Sequence, residues 1–478
     1  MKNKNGYFIF LFFIIIILFQ KLLAEFMSFH GYGSFLKIEL VVMFVVIYIY
    51  VVKKSGPLGT YSIFLATSFI FLYSRIVLDI FKLLKFEESV LFSRIVLNDL
   101  TVIIVIECLL FSLLFSFLAF LMFFRKSGWE KKISTNTSLE KISMWILFIL
   151  APLVILDASL KIYFVSQYGY LSLFDGLFVQ NPVYRLLGYV SRSYIYLFYV
   201  FLSSHPTKAN FKKTAGLFIL ITLLDMLAGK RGEAMILLLI VLWYNFNFYN
   251  GKIKLNQIIL AIGSVVVFSQ LTLMLRSGFS NISFLDGFLS FFELNGMSIY
   301  VLGYVVELRG LFVNEGLPYF LSPIYDLFLR ILGNSAVFYQ GNTLELLEST
   351  NYLGRQLTYF INPGAYLNGH GTGTSYIAEF YDFGGLVGVA GLSFLVIVFV
   401  LNLENMMHKN RFYFMVFLAV LYRFIYMPRD SLLRFLSDLV PMGVIYISIV
   451  LITHILLRTS SSNRYKGCDY SIEESIQN

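Results

Sequence analysis

The sequence predicts an all-α protein that crosses a membrane many times, and three observations support that prediction. Long apolar runs alternate with short polar breaks from Tyr7 to Leu457. At about 1.5 Å rise per residue, each run can cross most or all of a hydrocarbon layer roughly 30 Å thick. Hydrophobic residues make up 58% of the chain and charged residues only 14%, and the mean hydropathy is +0.77. We therefore expect a polytopic inner-membrane protein with about 12 transmembrane helices.

The apolar runs give the predicted spans and their orientation. In chain order the spans cover residues 7–23, 38–52, 58–80, 100–124, 142–160, 188–202, 214–228, 233–249, 257–275, 376–402, 411–428 and 439–457. An even number of crossings puts both termini on one side, and short breaks on that side hold runs of Lys and Arg such as Lys53-Lys54 and Lys212-Lys213. Such an excess marks the cytoplasmic side. Topology thus explains the net charge of +9 better than nucleic-acid binding does.

The break between the ninth and tenth spans is far longer than an ordinary loop. It divides the chain into a bundle of helices 1–9 (1–275), a large periplasmic loop subdomain (276–375), helices 10–12 (376–457) and a cytoplasmic tail (458–478) expected to be disordered. The apolar stretches 284–292 and 299–306 of the long loop are too short, or too interrupted by Glu293 and Asn295, to cross the membrane. We expect helices that lie at the interface or re-enter the membrane.

A turn at the outer surface, GKRGE at residues 229–233, joins the seventh and eighth predicted spans. Lys230 and Arg231 stand there between glycines, which let a backbone approach a ligand closely, and guanidinium is bidentate for phosphate. Asp225, one turn earlier, is placed to orient one of the cations. The turn is a candidate anion site, with a capped helical hairpin and snorkelling side chains as the alternative.

A Gly-Thr segment, GHGTGTS at residues 369–375, leads from the long loop into the tenth span. It approaches a helix N-terminus, where free N–H groups favour anions, but it lacks the endings of a P-loop or a dinucleotide fingerprint. His370 and Glu379 are candidates for a general base or for binding sugar hydroxyls. The alternative is that His370 is an ordinary loop histidine and that Gly384 and Gly388 allow close helix packing.

Charged residues cluster at the outer ends of the eleventh and twelfth spans. Arg423 lies inside an apolar run, where an ionisable residue faces a cavity or a partner rather than lipid. Arg429, Asp430, Arg434 and Asp438 follow within a short stretch. A structural salt bridge from Arg434 to Asp430 or Asp438, at i, i+4 spacing, is the competing interpretation.

The long loop adds further arginines, and the sequence has no strong metal-binding motif. Its arginines include Arg276, Arg309, Arg330 and Arg355. No Asp-x-Asp pair, His-rich spacing or paired cysteines occur, so we expect no metal and no cofactor. Guanidinium groups are the expected substitute for a divalent cation in neutralising a diphosphate.

These motifs resemble the Wzy-type O-antigen polymerases, also called oligosaccharide repeat-unit polymerases. The resemblance rests on GKRGE before a Leu-rich span, on GHGTGTSYIAEFYDFGGLVG after a long outer loop, and on MPRDSLLR near the end. It covers most of the chain as architecture, but its motifs cover only a few dozen residues.

The resemblance implies a bundle related to C-type glycosyltransferases and a reaction at the periplasmic face. A hydroxyl of an incoming undecaprenyl-diphosphate-linked repeat unit attacks the growing chain and expels undecaprenyl diphosphate. Guanidinium groups would stabilise the leaving group. The candidate diphosphate-binding residues are Lys230, Arg231, Arg276, Arg355, Arg423, Arg429 and Arg434, and the candidate bases are His370, Glu379 and Asp430. The implied partners are the lipid-linked donor and acceptor, the bilayer and a chain-length regulator.

Two alternatives to a polymerase remain open at the level of sequence. An O-antigen ligase uses the same class of donor but passes the glycan to a lipid A core. A lipid-linked oligosaccharide flippase predicts two similar halves and charged residues along a central cavity, whereas here no internal repeat is visible and the polar residues concentrate at one face.

Overall fold

The computed structural model describes residues 4–24, 29–86, 96–125, 134–169, 181–249, 284–308, 317–333 and 342–476, with the single positions 173, 263 and 267. Within these ranges the helices and helical turns confirm the predicted all-α class. The α-helices are α1 Lys4–Ala24, α2 Phe29–Ser55, α3 Thr60–Ser68, α4 Ser74–Ile80, α5 Asp99–Phe123, α6 Thr137–Tyr168, α7 Pro182–Ser203, α8 Lys208–Leu227, α9 Arg231–Phe248, α10 Phe284–Asn295, α11 Ile299–Glu307, α12 Ser322–Ile331, α13 Leu344–Ser349, α14 Leu353–Ile361, α15 Pro363–Leu367, α16 Tyr376–Met406, α17 Arg411–Tyr426 and α18 Phe435–Ile476.

Nine helical segments of the described ranges are long and apolar enough to cross a membrane. Eight of them coincide with predicted spans. Helices also form at the predicted spans 188–202, 214–228 and 233–249, as α7, α8 and α9, but they are not among the nine segments that are long and apolar enough. The predicted span 257–275 lies outside the described residues apart from positions 263 and 267. These findings agree with a polytopic membrane protein, while the count of 12 stays a prediction.

The one apolar segment outside our predicted spans, among the described residues, is Asp286–Glu307, which joins the two stretches that we took as too short or too interrupted to span. A short 3-10 turn, Gly296–Ser298, joins α10 directly to α11. The two polar residues that we took as interruptions have local partners. Asn295 Nδ2 donates to the Phe291 carbonyl at 2.8 Å, and Arg75 Nη1 donates to the Glu293 carbonyl at 3.2 Å. The Glu293 carboxylate lies 3.9 Å from Arg75 Nη2 and its side chain is 40% exposed, and the helical run continues through both polar residues.

The long helix α16 reverses direction near its start. Gly384 and Gly385 have non-helical backbone angles, and the φ of +58° at Gly385 favours glycine. The Phe380 carbonyl oxygen lies 2.5 Å from the point where a Cβ on Gly388 would stand. Residues eight apart in a straight helix are separated by about 12 Å. The chain therefore folds back at the glycine pair, which the prediction of a single span over 376–402 did not anticipate.

A serine of α5 contacts both arms of this bent helix. Ser112 Oγ lies 2.9 Å from the Tyr376 hydroxyl and 2.9 Å from Ser393 Oγ. The first residue of the short arm, 376–383, thus lies beside the middle of the long arm, 386–406. The Gly-Thr segment that precedes Tyr376 is consequently drawn into the bundle rather than left at its rim.

The last helix, α18, extends to Ile476. It passes beyond the final apolar span into the polar residues from Arg458 onward, for which the sequence indicates disorder. The boundary and state of that tail stay predictions.

Candidate functional site

A half-buried arginine makes ion pairs at one end of the bundle. Arg423, in the last turn of α17, donates from Nε to Asp438 Oδ2 at 2.7 Å and from Nη2 to Asp438 Oδ1 at 3.1 Å. Its Nη1 donates to Asp430 Oδ2 at 2.8 Å. The Tyr196 hydroxyl donates to the same Asp438 at 2.8 Å. The expectation that Arg423 faces a partner rather than lipid is therefore confirmed, and its partners are two carboxylates.

Asp430 links this arginine to a second one. Two 3-10 turns, Met427–Arg429 and Leu432–Arg434, flank it. It accepts hydrogen bonds from Arg434 Nη1 at 2.9 and 3.0 Å and from the Ser431 N–H at 2.9 Å. The i, i+4 pair considered from sequence exists, but it coexists with the Arg423 contacts instead of replacing them. We call Arg423, Asp430 and Asp438 the closed cluster, because two carboxylates already accept hydrogen bonds from all three guanidinium nitrogens of Arg423.

Arg434 bonds to Asp430 but belongs to a second group of charged residues, in which positive charges outnumber negative ones. Its guanidinium carbon lies 5.5 Å from the centroid of the Tyr352 ring, and that of Arg355 lies 5.3 Å from the same centroid. The Arg434 side chain is 44% exposed. Arg330, on α12, is exposed and, like Arg355 and Arg434, acts electrostatically on the Asp326 carboxylate. We call Arg330, Arg355, Arg434 and Asp326 the open cluster.

Arg355 is the best enclosed arginine of the open cluster. It lies in the first turn of α14, and its Nη1 donates to Thr350 Oγ1 at 2.9 Å. Burial lowers the pKa of its guanidinium, against the opposing effect of Asp326. A guanidinium that is partly desolvated and bonded to a neutral hydroxyl retains N–H donors for an anionic ligand.

Glu379 is buried next to both clusters. It is 1% exposed, and Oε1 accepts a hydrogen bond from the Thr374 hydroxyl at 2.9 Å. Asp430, Ser431 and Arg434 are among the groups that act on its carboxyl. The short arm of α16 carries this residue, so the chain reversal decides where the carboxyl lies.

Glycines bring the Gly-Thr segment against α14. A Cβ on Gly354 would stand 2.5 Å from the Gly373 carbonyl oxygen, so the two backbones can touch only where neither carries a side chain. The Thr372 N–H donates to Thr358 Oγ1 at 2.9 Å. This contact connects the helix that holds Arg355 to the segment that holds Glu379.

The GKRGE turn lies beside the closed cluster. A Cβ on Gly232 would stand 3.0 Å from the Tyr426 hydroxyl. Burial alone would lower the pKa of Lys230, but Asp225 and Glu233 outweigh it and the pKa is raised. Lys230 thus stays a cation with carboxylates nearby, and the orienting role expected for Asp225 stays a prediction. Arg231 is the first residue of α9 in the same turn.

Arg429 and His370 contact residues outside the two clusters, and one further predicted residue is not described. Arg429 Nη1 is 3.5 Å from Asn295 Oδ1, and its carbonyl oxygen lies near Gly373. His370 is held in the loop before α16 by its backbone, whose N–H donates to the Ala365 carbonyl at 3.0 Å and whose carbonyl accepts from Asn342 at 2.7 Å. Arg276 lies outside the described residues.

Sequence reasoning missed Asp326 and Tyr352. Tyr352 has no sequence signal beyond its closeness to Arg355. Asp326 stands four residues before Arg330 on α12, the i, i+4 spacing of a helical charge pair. That spacing was the available signal, although it does not reveal that Arg355 and Arg434 approach the same carboxylate.

Comparison with known proteins identifies the family. The family description O-antigen polysaccharide polymerase Wzy matches residues 7–460, nearly the whole chain, including every candidate residue above. No curated protein and no solved structure is significantly similar to the chain. The chain therefore belongs to the O-antigen polysaccharide polymerase Wzy family.

Proposed function

We propose that the protein joins undecaprenyl-diphosphate-linked repeat units into O-antigen or a related surface polysaccharide at the periplasmic face of the inner membrane. Family membership supports a role in repeat-unit polymerisation. The observation that favours glycosyl transfer from a lipid diphosphate is the open cluster, where Arg355 and Arg434 lie against the same Tyr352 ring and, with Arg330, act electrostatically on a single carboxylate. The donor, the acceptor and the bilayer are then the partners, with both termini in the cytoplasm.

The open cluster has the chemistry needed for the leaving group. A hydroxyl of the incoming unit attacks the anomeric carbon of the growing chain, and the bond to the diphosphate oxygen breaks with its electron pair on that oxygen. Negative charge grows on the diphosphate in the transition state. Arg355 and Arg434, fixed against Tyr352 beforehand, stabilise that state more than the ground state. No divalent cation is required in this scheme.

Glu379 is our choice for the base that accepts the hydroxyl proton. Its Oε1 accepts a hydrogen bond from the neutral Thr374 hydroxyl. Both oxygens of Asp430 already accept from guanidinium groups, which leaves Asp430 poorly placed to take a proton from a substrate. His370 is held in the neighbouring loop by Asn342 and Ala365. Asp430 is therefore a positioning residue in this proposal.

Arg423 also has a positioning role, because two carboxylates already occupy its donors. Diphosphate binding by the other candidates stays a prediction for Lys230, Arg231, Arg276 and Arg429. The Lys230–Arg231 turn borders the closed cluster. Its cations are suited to bind a second lipid-linked substrate or to neutralise neighbouring carboxylates of the bundle. A chain-length regulator as partner also stays a prediction.

Reconstitution tests the proposal directly. Purified protein in lipid nanodiscs, given synthetic diphosphate-linked repeat units and EDTA, should convert them into longer oligomers. The Arg355→Ala variant should not. In cells, deletion should leave single repeat units on the lipid A core; a core without any capped unit would contradict polymerase activity and point to a ligase or a flippase.

A further inference from the structure

Asp326 is the acidic member of the open cluster, and one of its oxygens, Oδ1, is buried and has no hydrogen-bond partner in the described part of the chain. Burial raises the pKa of this carboxyl, although Arg355, Arg330 and Arg434 act in the opposite direction. An unpaired buried acceptor is destabilising because its lost bonds to water are not replaced, so such a group in a binding region suggests a ligand that supplies the missing donor.

The neighbouring arginines do not fill this position. Arg355 donates to Thr350, and Arg434 donates to Asp430. None of the ion pairs found among the described residues includes Asp326. The carboxylate and the guanidinium groups therefore stand near one another without closing into a salt bridge. A ligand that fits both must carry anionic oxygens for the arginines and a hydrogen-bond donor for Asp326.

We infer that Asp326 binds a hydroxyl or amide N–H of the sugar attached to the diphosphate that the open cluster holds. A glycosyl diphosphate carries both chemical features in adjacent groups, whereas fully ionised diphosphate has no hydrogen-bond donor. The inference rests on the proposed function and adds a specificity residue to it. Asp326 then favours binding of the intact substrate. Loss of the sugar frees a diphosphate oxygen that can ionise, and the Asp326 carboxylate repels the added negative charge.

Two probes with opposite expected responses test this role. One is inorganic pyrophosphate, and the other is N-acetylglucosamine linked through diphosphate to a citronellyl chain. Asp326→Ala should weaken binding of the sugar-linked probe about tenfold to a hundredfold, the effect of losing a hydrogen bond to a charged group. The same variant should tighten pyrophosphate binding, because one negative charge has left a cationic site. Isothermal titration of the full-length protein in nanodiscs measures both affinities.

Two variants keep the result interpretable. Asp326→Asn has nearly the same shape and keeps an oxygen acceptor, so it should tighten pyrophosphate binding and lose less affinity for the sugar-linked probe. Glu345→Ala removes an exposed acid from α13 and should change neither affinity.

The outcomes separate the inference from the proposed site. Weaker binding of both probes by Asp326→Ala, or unchanged binding of both, overturns the sugar contact. Tighter pyrophosphate binding with unchanged sugar-probe affinity also overturns it, because only charge would then be involved. If Arg355→Ala leaves pyrophosphate affinity unchanged, the diphosphate site itself is wrong and the inference fails with it.

Discussion

The closed and open clusters use the same residue type in opposite ways. In the closed cluster, Arg423 meets two carboxylates at hydrogen-bond distance. In the open cluster, Arg355 bonds to a neutral threonine and shares a single acid with two other arginines. Position inside an apolar run is therefore a poor guide to function, because the charge of Arg423 is already used by two carboxylates. Carboxylates accept from three guanidinium nitrogens of Arg423, from one of Arg434 and from none of Arg355 among the described residues, and this difference distinguishes a structural arginine from one with donors left for a substrate.

The largest expected effect is on folding, from Arg423→Leu. This change leaves Asp430 and Asp438 buried without their shared cation, which costs about 3–5 kcal/mol for a broken buried pair. We expect little folded protein in detergent by fluorescence-detected size exclusion. Arg423→Lys should recover part of the yield because it keeps the charge. A well-folded, inactive Arg423→Leu protein would instead place Arg423 among the substrate-binding residues.

The corresponding change in the open cluster should affect activity and leave folding intact. Arg355→Ala removes a donor to the leaving group, for which a loss of about a hundredfold or more in rate is typical. Polymerisation rate and melting temperature should be measured on the same sample. Arg185→Ala, which removes an exposed arginine from α7, is the matched control and should keep full activity. A large drop in melting temperature for Arg355→Ala would remove the contrast between the clusters.

The two carboxyl groups beside the clusters should respond differently to the same chemical change. Glu379→Gln keeps the shape and the Thr374 contact but cannot accept a proton, so the rate should fall about a hundredfold or more at unchanged stability. Asp430→Asn should destabilise the protein by about 1–3 kcal/mol, because two guanidinium groups lose their ionic acceptor. Melting curves and initial rates for both variants check this prediction. If Asp430→Asn instead lowered the rate at unchanged stability and Glu379→Gln lowered the stability, the base would be Asp430 and the positioning residue Glu379.

The smallest expected effect concerns the contact between α14 and the Gly-Thr segment. Gly354→Ala puts a methyl group 2.5 Å from the Gly373 carbonyl oxygen, and such overpacking costs about 1–3 kcal/mol. Because α14 holds Arg355, the shift should also lower affinity for pyrophosphate. Gly364→Ala is the control, since its methyl would lie at an ordinary 3.5 Å from Asn362. Equal behaviour of the two variants would show that this contact does not position the open cluster.

Sequence reasoning could predict the features that depend on local pattern. Apolar run length gave the membrane fold, and α-helical spacing brought Asp430 and Arg434 into one group. Arg423 was expected to have a partner because an ionisable side chain inside an apolar run needs one. These predictions succeeded because the interacting residues lie within a few helical turns of each other.

The rest depends on contacts between distant parts of the chain. Glycines that allow helices to pack and glycines that allow a chain reversal look alike in sequence, so the reversal at Gly384–Gly385 was missed. Asp326, Arg355 and Arg434 lie on three separate elements, and a single sequence does not show that they converge. That convergence decides which arginines already donate to carboxylates and which keep N–H donors for a substrate.

The affinity of the purified protein for farnesyl diphosphate, a short lipid diphosphate without sugar, tests the central claim most directly. It should be measured for the unmodified protein, for Arg355→Ala and for Arg185→Ala, with melting temperatures recorded in parallel. We predict that Arg355→Ala weakens binding about tenfold or more, the scale of one charge-assisted hydrogen bond, while the other two proteins bind alike. Equal affinity of all three folded proteins would contradict the assignment of the open cluster as the diphosphate site.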